Sequence, residues 1–311
     1  MVTYQRSAVS LMCVLGACAG SASAAFSLEA PGYRLFNRVA VPAALPDYVG
    51  DMRFSDDGST AIFIGGSEED DAGVWRSTVV RDMDGNVTAF SAATPLFTSA
   101  YADTGLESMP GSATTLFRGV NPSTDAYSIV QRLGDGTFEY TDIPDTSYDA
   151  TYGGLAIVPN GFTSAGQILS SSYDDSVIHA HGIADDGDDS FTISSSSTLV
   201  MEPGAAIGDM EYILDGPLTN SLLMDDYDND AVLYTPIDPV TGLPSSNTTN
   251  VFAYCSAAWG LAVDPVTGNI WLNQWTARNT PMFQITVPAP GVTSVAGLLA
   301  LGVVRRTRRT R

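Results

Sequence analysis

The sequence has 311 residues, of which 44% are hydrophobic, so it can bury a core of one or two domains and is not a disordered chain. It contains 14 arginines, no lysine and 35 acidic residues, which give a formal net charge of −21. Such a surface repels nucleic acid and anionic membranes and attracts cations, and a nucleic-acid partner is therefore excluded.

The first 24 residues have the pattern of an export signal. One arginine precedes an apolar run over residues 8–17, and small residues lead to an A-x-A cleavage site at 22–24. We therefore expect a signal peptidase to remove residues 1–24, which would form a signal helix. The stretch Leu15-Gly16-Ala17-Cys18 also fits a lipoprotein box, and lipidation of Cys18 is the alternative.

A five-fold repeat predicts the fold of residues 25–287. Each repeat starts with a glycine, followed by an alternating apolar segment and a turn; these glycines are Gly50, Gly105, Gly154, Gly208 and Gly260. Their spacings of 55, 49, 54 and 52 residues are typical of the four-stranded blades of a β-propeller. The sequence therefore predicts an all-β propeller of five blades, with six blades or a β-sandwich as the alternatives.

The other strands of each repeat follow the same pattern. Second strands are predicted over 61–66, 115–120, 167–172, 221–226 and 269–274, third strands over 74–80, 127–133, 177–183, 232–237 and 282–287, and fourth strands over 86–91, 137–142, 190–195 and 250–254. The fifth repeat lacks a fourth strand. We expect the alternating segment 33–41 to complete that blade, because this would remove an open sheet edge.

The last repeat, GLAVDPVTGNIWLNQ at residues 260–274, resembles blades of NHL, SMP-30 and streptogramin-lyase-like propellers. In those proteins the pattern G-(L/I)-A-x-D-x-x-G-x-(I/L)-(Y/W) is frequent. The resemblance covers one blade well and the others loosely. It implies the propeller fold and carries no catalytic residue to this chain.

Ligands of propellers usually bind on the rim formed by the loops between second and third strands and by the connections between blades. The candidate ligand residues on this rim are Glu68, Asp70, Asp174, Asp226, Asp228, Trp275 and Arg278. Carboxylates suit a hard cation, and an aromatic ring suits the face of a sugar. The opposite rim is also acidic, so solvated surface charge is the competing interpretation.

Two loops have the alternating aspartates of a calcium site, Asp226-x-Asp228-x-Asp230 and Asp82-x-Asp84. Alternate oxygens in a tight loop can converge on Ca²⁺. Neither loop has the glutamate at position twelve that an EF-hand requires. Calcium is therefore the one cofactor that the sequence suggests, with surface charge again as the alternative.

The first strands bring further acids to the predicted axis, namely Asp51, Glu107, Asp209 and Glu211. A glycan-cleaving enzyme would need two carboxylates about 5 to 10 Å apart in a pocket that holds a sugar, whereas a binding module could have a shallow or plugged channel.

Three other residues could carry chemistry. His179 and His181 lie at i and i+2 on a predicted strand and point to the same face, but ordinary strand positions explain them better than a metal site. Cys255 is the only cysteine outside the predicted signal peptide and is expected to be a small buried residue.

The C-terminus begins with Val287-Pro288-Ala289-Pro290-Gly291 and continues with 13 residues, 292–304, that are shorter than the roughly 20 of a comfortable membrane span. An arginine cluster follows at Arg305, Arg306, Arg308 and Arg309. This order resembles the PEP-CTERM sorting signal of bacterial surface and matrix proteins, although Ala289 stands where the common motif has glutamate. The resemblance implies that residues 288–311 form a short transmembrane sorting helix cleaved by an exosortase-type enzyme; a plain C-terminal anchor is the alternative.

The sequence thus predicts an exported propeller, sorted to the cell surface or extracellular matrix after transient membrane anchoring. No nucleophile-elbow, zincin, P-loop or dinucleotide-binding motif is present. The first functional hypothesis is therefore non-catalytic binding of polysaccharide, surface protein or calcium. The alternative is an extracellular propeller enzyme, glycan-cleaving or of lactonase or lyase type, that uses axial carboxylates.

Overall fold

The computed structural model describes residues 26–67, 72–98, 102–143, 152–276 and 280–287 and contains five antiparallel sheets. Each sheet is one blade, and the innermost strands of successive blades are neighbours around a central axis. The chain is a five-bladed β-propeller, which confirms the predicted fold and shows that six blades and a β-sandwich are wrong.

The strands follow the repeat. Blade 1 contains β3 (Met52–Phe54), β4 (Thr60–Gly65), β5 (Gly73–Arg81), β6 (Val87–Phe90) and β7 (Thr94–Thr98). Blade 2 contains β8 (Glu107–Ser108), β9 (Thr115–Asn121), β10 (Ala126–Arg132) and β11 (Phe138–Asp142), and blade 3 contains β12 (Leu155–Ile157), β13 (Ile168–Ser172), β14 (Val177–Asp185) and β15 (Phe191–Met201). Blade 4 contains β16 (Met210–Ile213), β17 (Ser221–Asp226), β18 (Ala231–Pro236), β19 (Asn250–Cys255) and β1 (Phe26–Leu28), and blade 5 contains β20 (Ala258–Val263), β21 (Ile270–Gln274), β22 (Met282–Thr286) and β2 (Arg34–Val39).

Five hydrophobic clusters lie between adjacent blades, one at each junction. They arise because alternate side chains of a strand point to opposite faces of its sheet and so reach the two neighbouring blades. Met210 of β16, for example, packs toward blade 3, whereas Ile213 packs toward blade 5. The burial of Cys255 in one of these clusters confirms the expectation that it is a core residue.

The N-terminal strand β2 closes the ring. It pairs antiparallel with β22, so that Val39 lies opposite Met282 and Arg34 opposite Thr286. This confirms that a segment from the start of the chain completes the fifth blade. Strand β1, which extends blade 4 outside β19, and strand β7, which pairs with β5, were not expected from the sequence.

An ion pair strengthens the junction between the fifth and first blades. Both guanidinium Nη atoms of Arg81, on β5, donate to the carboxylate of Asp264, at 2.7 and 2.8 Å. The carboxylate is fully buried, and Arg81 also donates to the carbonyl oxygens of Gly58 and Gly85. Such bidentate geometry is the strongest form of a charge-assisted hydrogen bond.

The closure by β2 makes a prediction with a matched control on the same strand. Val39 is 2% exposed and packs in the core between blades 5 and 1, whereas Phe36 is 41% exposed. We expect Val39→Asp to lower the free energy of unfolding by about 3 kcal/mol or more, because it buries an unpaired charge. Phe36→Asp should change it by less than about 1 kcal/mol. Urea unfolding of both variants measures the difference, and equal losses would contradict closure by β2.

The terminal segments to which the sequence assigns sorting lie outside the described residues. These are the predicted signal peptide, residues 1–24, and residues 288–311 with the predicted short span and the arginine cluster. Within the described ranges, no helix is long and apolar enough to cross a membrane.

Candidate active site on the propeller axis

Three charged residues occupy corresponding positions on the innermost strands. Arg53, Glu107 and Glu211 lie on β3, β8 and β16, at a position that Ala156 and Ala262 fill in the other two blades. All five residues belong to strands that surround the axis. The repeat therefore brings together side chains that are 54 and 158 residues apart in sequence.

The guanidinium of Arg53 joins the two carboxylates across the axis. Its Nη1 donates to Oε2 of Glu211 at 2.6 Å and to Oε1 of Glu107 at 3.3 Å, and its Nη2 lies 3.1 Å from Oε2 of Glu107. The carboxylate side chains are only 9% and 5% exposed, whereas the Arg53 side chain is 30% exposed. The cluster is thus buried on its acidic side and open on its cationic side.

Burial changes the acidity of the two glutamates. Desolvation raises the pKa of Glu107 to about 8, against an opposing effect of the positive charge on Arg53. Desolvation also raises the pKa of Glu211. Burial lowers the pKa of Arg53, but Glu107 and Glu211 outweigh it and raise that pKa overall, so the guanidinium stays charged. At neutral pH the site therefore offers a cation and a protonated acid, and the carboxyl of Glu211 lies 2.6 Å from the guanidinium.

A second pair of acids lies further along the axis. Asp51 Oδ2 accepts a hydrogen bond of 2.6 Å from the backbone N–H of Leu106, and Asp209 Oδ2 accepts one of 2.7 Å from Leu261. Each aspartate thus tethers its blade to the next. The two side chains are 2% and 1% exposed, and each carboxyl changes the pKa of the other, so the pair can share a proton.

Burial accounts for the proton that this pair retains. It raises the pKa of Asp51 to about 7 and that of Asp209 well above its usual range. Asp225, which accepts hydrogen bonds from the N–H groups of Gly208 and Asp209, also has a raised pKa because it is buried. The channel is thus filled by side chains at this level.

Glycines allow the inner strands to come close at the same level. A Cβ on Gly154 would lie 2.5 Å from the Cα of Asp209, and a Cβ on Gly105 would lie 2.4 Å from the backbone nitrogen of Leu155. Any side chain at these positions would push two blades apart. This explains why glycine recurs in the repeat at the point where the first strands meet.

A cavity of about 620 Å³ opens beyond the Arg53 cluster. Arg53, Glu107 and Glu211 form its charged part, and its walls include Tyr33, Ile157, Tyr212 and Val263. Val287, the first residue of the predicted sorting motif, also lines it. A concave, mainly apolar cavity with a few convergent polar groups is typical of a small-molecule site.

The cavity lies at the rim formed by the loops between first and second strands. Its lining residues follow the ends of β8, β12, β16 and β20. The predicted ligand rim is at the opposite end, because it follows the second strands, which run antiparallel to the first. The structure places Asp174, Asp226, Asp228 and Trp275 there, while Glu68, Asp70 and Arg278 lie outside the described residues.

The aspartates of the predicted calcium loops make separate hydrogen bonds. Asp226 accepts from the side-chain amide of Asn229, Asp228 accepts from the hydroxyl of Tyr173 at 2.5 Å, and Asp230 accepts from the N–H of Ala257. Within the described ranges, no three acidic, histidine or cysteine side chains converge as a metal site. Calcium at this loop stays a prediction that the hydrogen bonding does not support.

The second loop is a turn held by its own first residue. Desolvation alone would raise the pKa of Asp82, but its hydrogen bonds outweigh this effect and lower the pKa overall. Asp82 accepts from the N–H groups of Asp84 and Asn86, both at 2.9 Å, and from the side-chain amide of Asn86. The carboxylate of Asp82 therefore has a structural partner in the turn that connects β5 to β6.

The two histidines belong to the core of blade 3. His181 contacts the hydroxyl of Ser170 at 2.8 Å and the carbonyl oxygen of Ser194 at 2.9 Å, and His179 contacts the hydroxyl of Ser197 at 2.7 Å. Burial lowers the pKa of both rings, to about 4 for His181. They are ordinary strand residues, as expected.

Sequence reasoning found the axial acids and missed their cation. The four predicted residues Asp51, Glu107, Asp209 and Glu211 do lie on the axis. Arg53 could have been noticed because it stands two residues after Asp51 on an alternating strand and so points the same way. The pairing of Arg53 with Glu211 could not be predicted, because no local pattern reports distances across the axis.

No family model and no curated protein matches this sequence. Solved structures with a similar fold include the calcium-binding protein regucalcin from Agrobacterium tumefaciens, with 8% identity, a TM-score of 0.49 and coverage of 81% of this chain and 94% of that chain. A luciferin-regenerating enzyme has 7% identity and a TM-score of 0.48, and the match covers 78% of this chain and 92% of that chain. The PQQ domain of pyranose dehydrogenase from Coprinopsis cinerea has 10% identity and a TM-score of 0.46, and the match covers 85% of this chain and 97% of that chain. At such low identity these likenesses concern the fold and say nothing about what this chain does.

Proposed function

We propose that the chain is a propeller enzyme that opens a neutral, sugar-derived lactone in the axial cavity. The observation that carries the proposal is the cluster of Arg53, Glu107 and Glu211 at the base of that cavity. A volume of about 620 Å³ suits a small molecule. With Glu107 protonated, one positive and one negative charge cancel, so a neutral hydroxylated substrate fits better than an ion.

The central guanidinium favours lactone opening over glycoside cleavage. Glycosidases stabilise an oxocarbenium-like transition state, which carries positive charge between two carboxylates. Here Arg53 contacts both carboxylates, so a cation already stands in that place. Attack on a lactone carbonyl instead develops negative charge on an oxygen, which a guanidinium stabilises.

The roles of the three residues follow from their protonation. Glu211, as the carboxylate, accepts a proton from the attacking water, while Arg53 stabilises the developing oxyanion. Glu107, whose pKa is about 8, donates its proton to the ring oxygen as the carbon–oxygen bond breaks. The products are the open hydroxy acid and a cluster that exchanges one proton with water to return to its starting state.

The proposal predicts which variants lose activity. We expect Glu107→Gln and Glu211→Gln each to lower kcat/KM by about 100-fold or more, the usual contribution of a general acid or base. The wild-type rate should fall as the pH rises through about 8, because Glu107 loses the proton that it donates. The measurement is acid release in a pH-stat from a panel of neutral five- and six-membered aldonolactones.

Glu139→Gln is the matched control, because Glu139 is an exposed glutamate on β11 whose carboxylate bonds to Ser190. It should keep the wild-type rate. The proposal fails if no lactone opens faster than in buffer, or if Glu107→Gln retains the wild-type rate with its fold intact.

We also propose that the chain is exported and sorted to the cell surface or matrix, with signal peptidase and an exosortase-type enzyme as its processing partners. The N-terminal and C-terminal sequence patterns support this. Mass spectrometry of terminal peptides from washed cells and medium should find a start at Ala25 and no residue beyond about Pro290. An intact arginine tail, or a lipid on Cys18, would contradict it.

A further inference from the structure

A row of seven aromatic side chains crosses the rim opposite the axial cavity. In spatial order they are Tyr48, Trp275, Tyr227, Trp259, Tyr173, Tyr152 and Tyr127. Ring centroids of neighbours in this row are 4.8 to 6.5 Å apart. The row includes residues on or next to strands of every blade. Tyr48 belongs to blade 1, Trp275 and Trp259 to blade 5, Tyr227 to blade 4, Tyr173 and Tyr152 to blade 3, and Tyr127 to blade 2. We call these seven residues the aromatic row.

The aromatic row lies at the surface. Six of its rings are half-buried, and Trp259, at 4% exposed, is packed among Tyr227, Tyr173 and Trp275. Mutual contact fixes these side chains, so binding would cost little conformational entropy. The amphipathic rings of tyrosine and tryptophan are the groups most often found at the energetic centre of binding surfaces.

Polar groups beside the row can bond a hydroxylated ligand. Exposed carboxylates, including Asp174 and Asp228, lie beside Tyr173, whose hydroxyl donates to Asp228. Carboxylates only accept hydrogen bonds, whereas a sugar hydroxyl both donates and accepts.

We propose that the aromatic row binds a neutral polysaccharide chain. The apolar C–H faces of pyranose rings pack on aromatic rings, and the sugar hydroxyls reach the exposed carboxylates. A chain suits the site better than a single sugar, because the row extends around the rim. An anionic polysaccharide does not fit, because the net charge of the chain is −21. This binding is independent of the proposed chemistry in the axial cavity.

The test is affinity electrophoresis of the full-length chain in native gels containing one soluble glucan each. The probes are laminarin, hydroxyethyl cellulose and dextran, with alginate as the anionic comparison. We expect at least one neutral glucan to retard the wild type and to change its tryptophan emission, and alginate to have no effect. Trp275→Ala and Tyr127→Ala, at different places in the row, should each weaken binding about tenfold.

Two controls separate binding from folding. Trp275→Phe should restore most of the retardation because it keeps a ring, and Phe36→Ala removes an exposed ring from outer strand β2 and should leave retardation unchanged. Thermal unfolding identifies any variant that fails to fold. If Trp275→Ala does not fold, the binding of Tyr127→Ala decides the test. The proposal is overturned if no neutral glucan retards the wild type, if folded row variants bind as the wild type does, or if alginate binds equally well.

The same variants distinguish this proposal from the enzymatic one. Glu107→Gln should bind glucan normally while losing most of its lactone opening, and Tyr127→Ala should open lactones normally while binding glucan about tenfold more weakly. Loss of both activities in either variant would show that the two rims do not act independently.

Discussion

Replacement of Arg53 by methionine is expected to lower the free energy of unfolding by about 3 to 5 kcal/mol at pH 8.5. The reason is that the side chains of Glu107 and Glu211 are buried and both lose their counter-charge. At pH 5.5 the loss should be smaller, because desolvation has already raised the pKa of both carboxyls and they can hold protons instead. Urea unfolding at the two pH values measures both effects.

Two comparison variants make this result specific. Arg76→Met removes an exposed arginine from β5 and should change stability by less than about 0.5 kcal/mol. The triple variant Arg53→Met, Glu107→Gln, Glu211→Gln removes all three charges and should recover most of the loss, since no unpaired charge remains buried. If Arg53→Met lowers the free energy of unfolding by less than about 1 kcal/mol at pH 8.5, then water, and not Arg53, stabilises the negative charges of the two glutamates.

Local patterns were enough to predict the propeller. A glycine at the start of each first strand, an alternating segment and a turn recur every 50 residues or so, and each property is set by neighbours in sequence. The position of β2 could be inferred as well, because the fifth repeat lacked one strand and an unassigned alternating segment remained. Even the weakest fourth strand, 250–254, is present as β19.

The features that were missed depend on distances between blades. Strand β7 pairs with β5 because β5 runs from Gly73 to Arg81 and is long enough to pair with both β6 and β7. The cavity lies on the rim between first and second strands and not on the predicted ligand rim. The reason is that the close contact at Gly154 and the Asp51–Asp209 pair fill the axis near the predicted ligand rim. The prediction of the ligand rim rested on its acidic loops, but charged loops are as typical of a solvated surface as of a binding site.

The Asp51–Asp209 pair should make the protein less stable as the pH rises. Burial raises the pKa of Asp51 from 3.8 to about 7, so the folded state holds a proton that the unfolded state has lost. Stability is therefore greatest below about pH 4 for this group and is lost as the pH rises through about 7. At about 1.4 kcal/mol for each unit of pKa, the contribution is roughly 3 to 4 kcal/mol between pH 4 and 8.

Asp209→Asn isolates this contribution from the general repulsion between the many acids of the surface. Its amide oxygen can still accept from Leu261, and its amide nitrogen can donate to Asp51, so the geometry is kept while one titrating group is removed. Asp51 then ionises without the negative charge of Asp209 beside it. We expect the variant to be more stable than the wild type at pH 8 and to show a flatter dependence of stability on pH. Parallel curves for the two proteins would mean that the pair does not share a proton, and that the axis is held together by the backbone hydrogen bonds of the two aspartates alone.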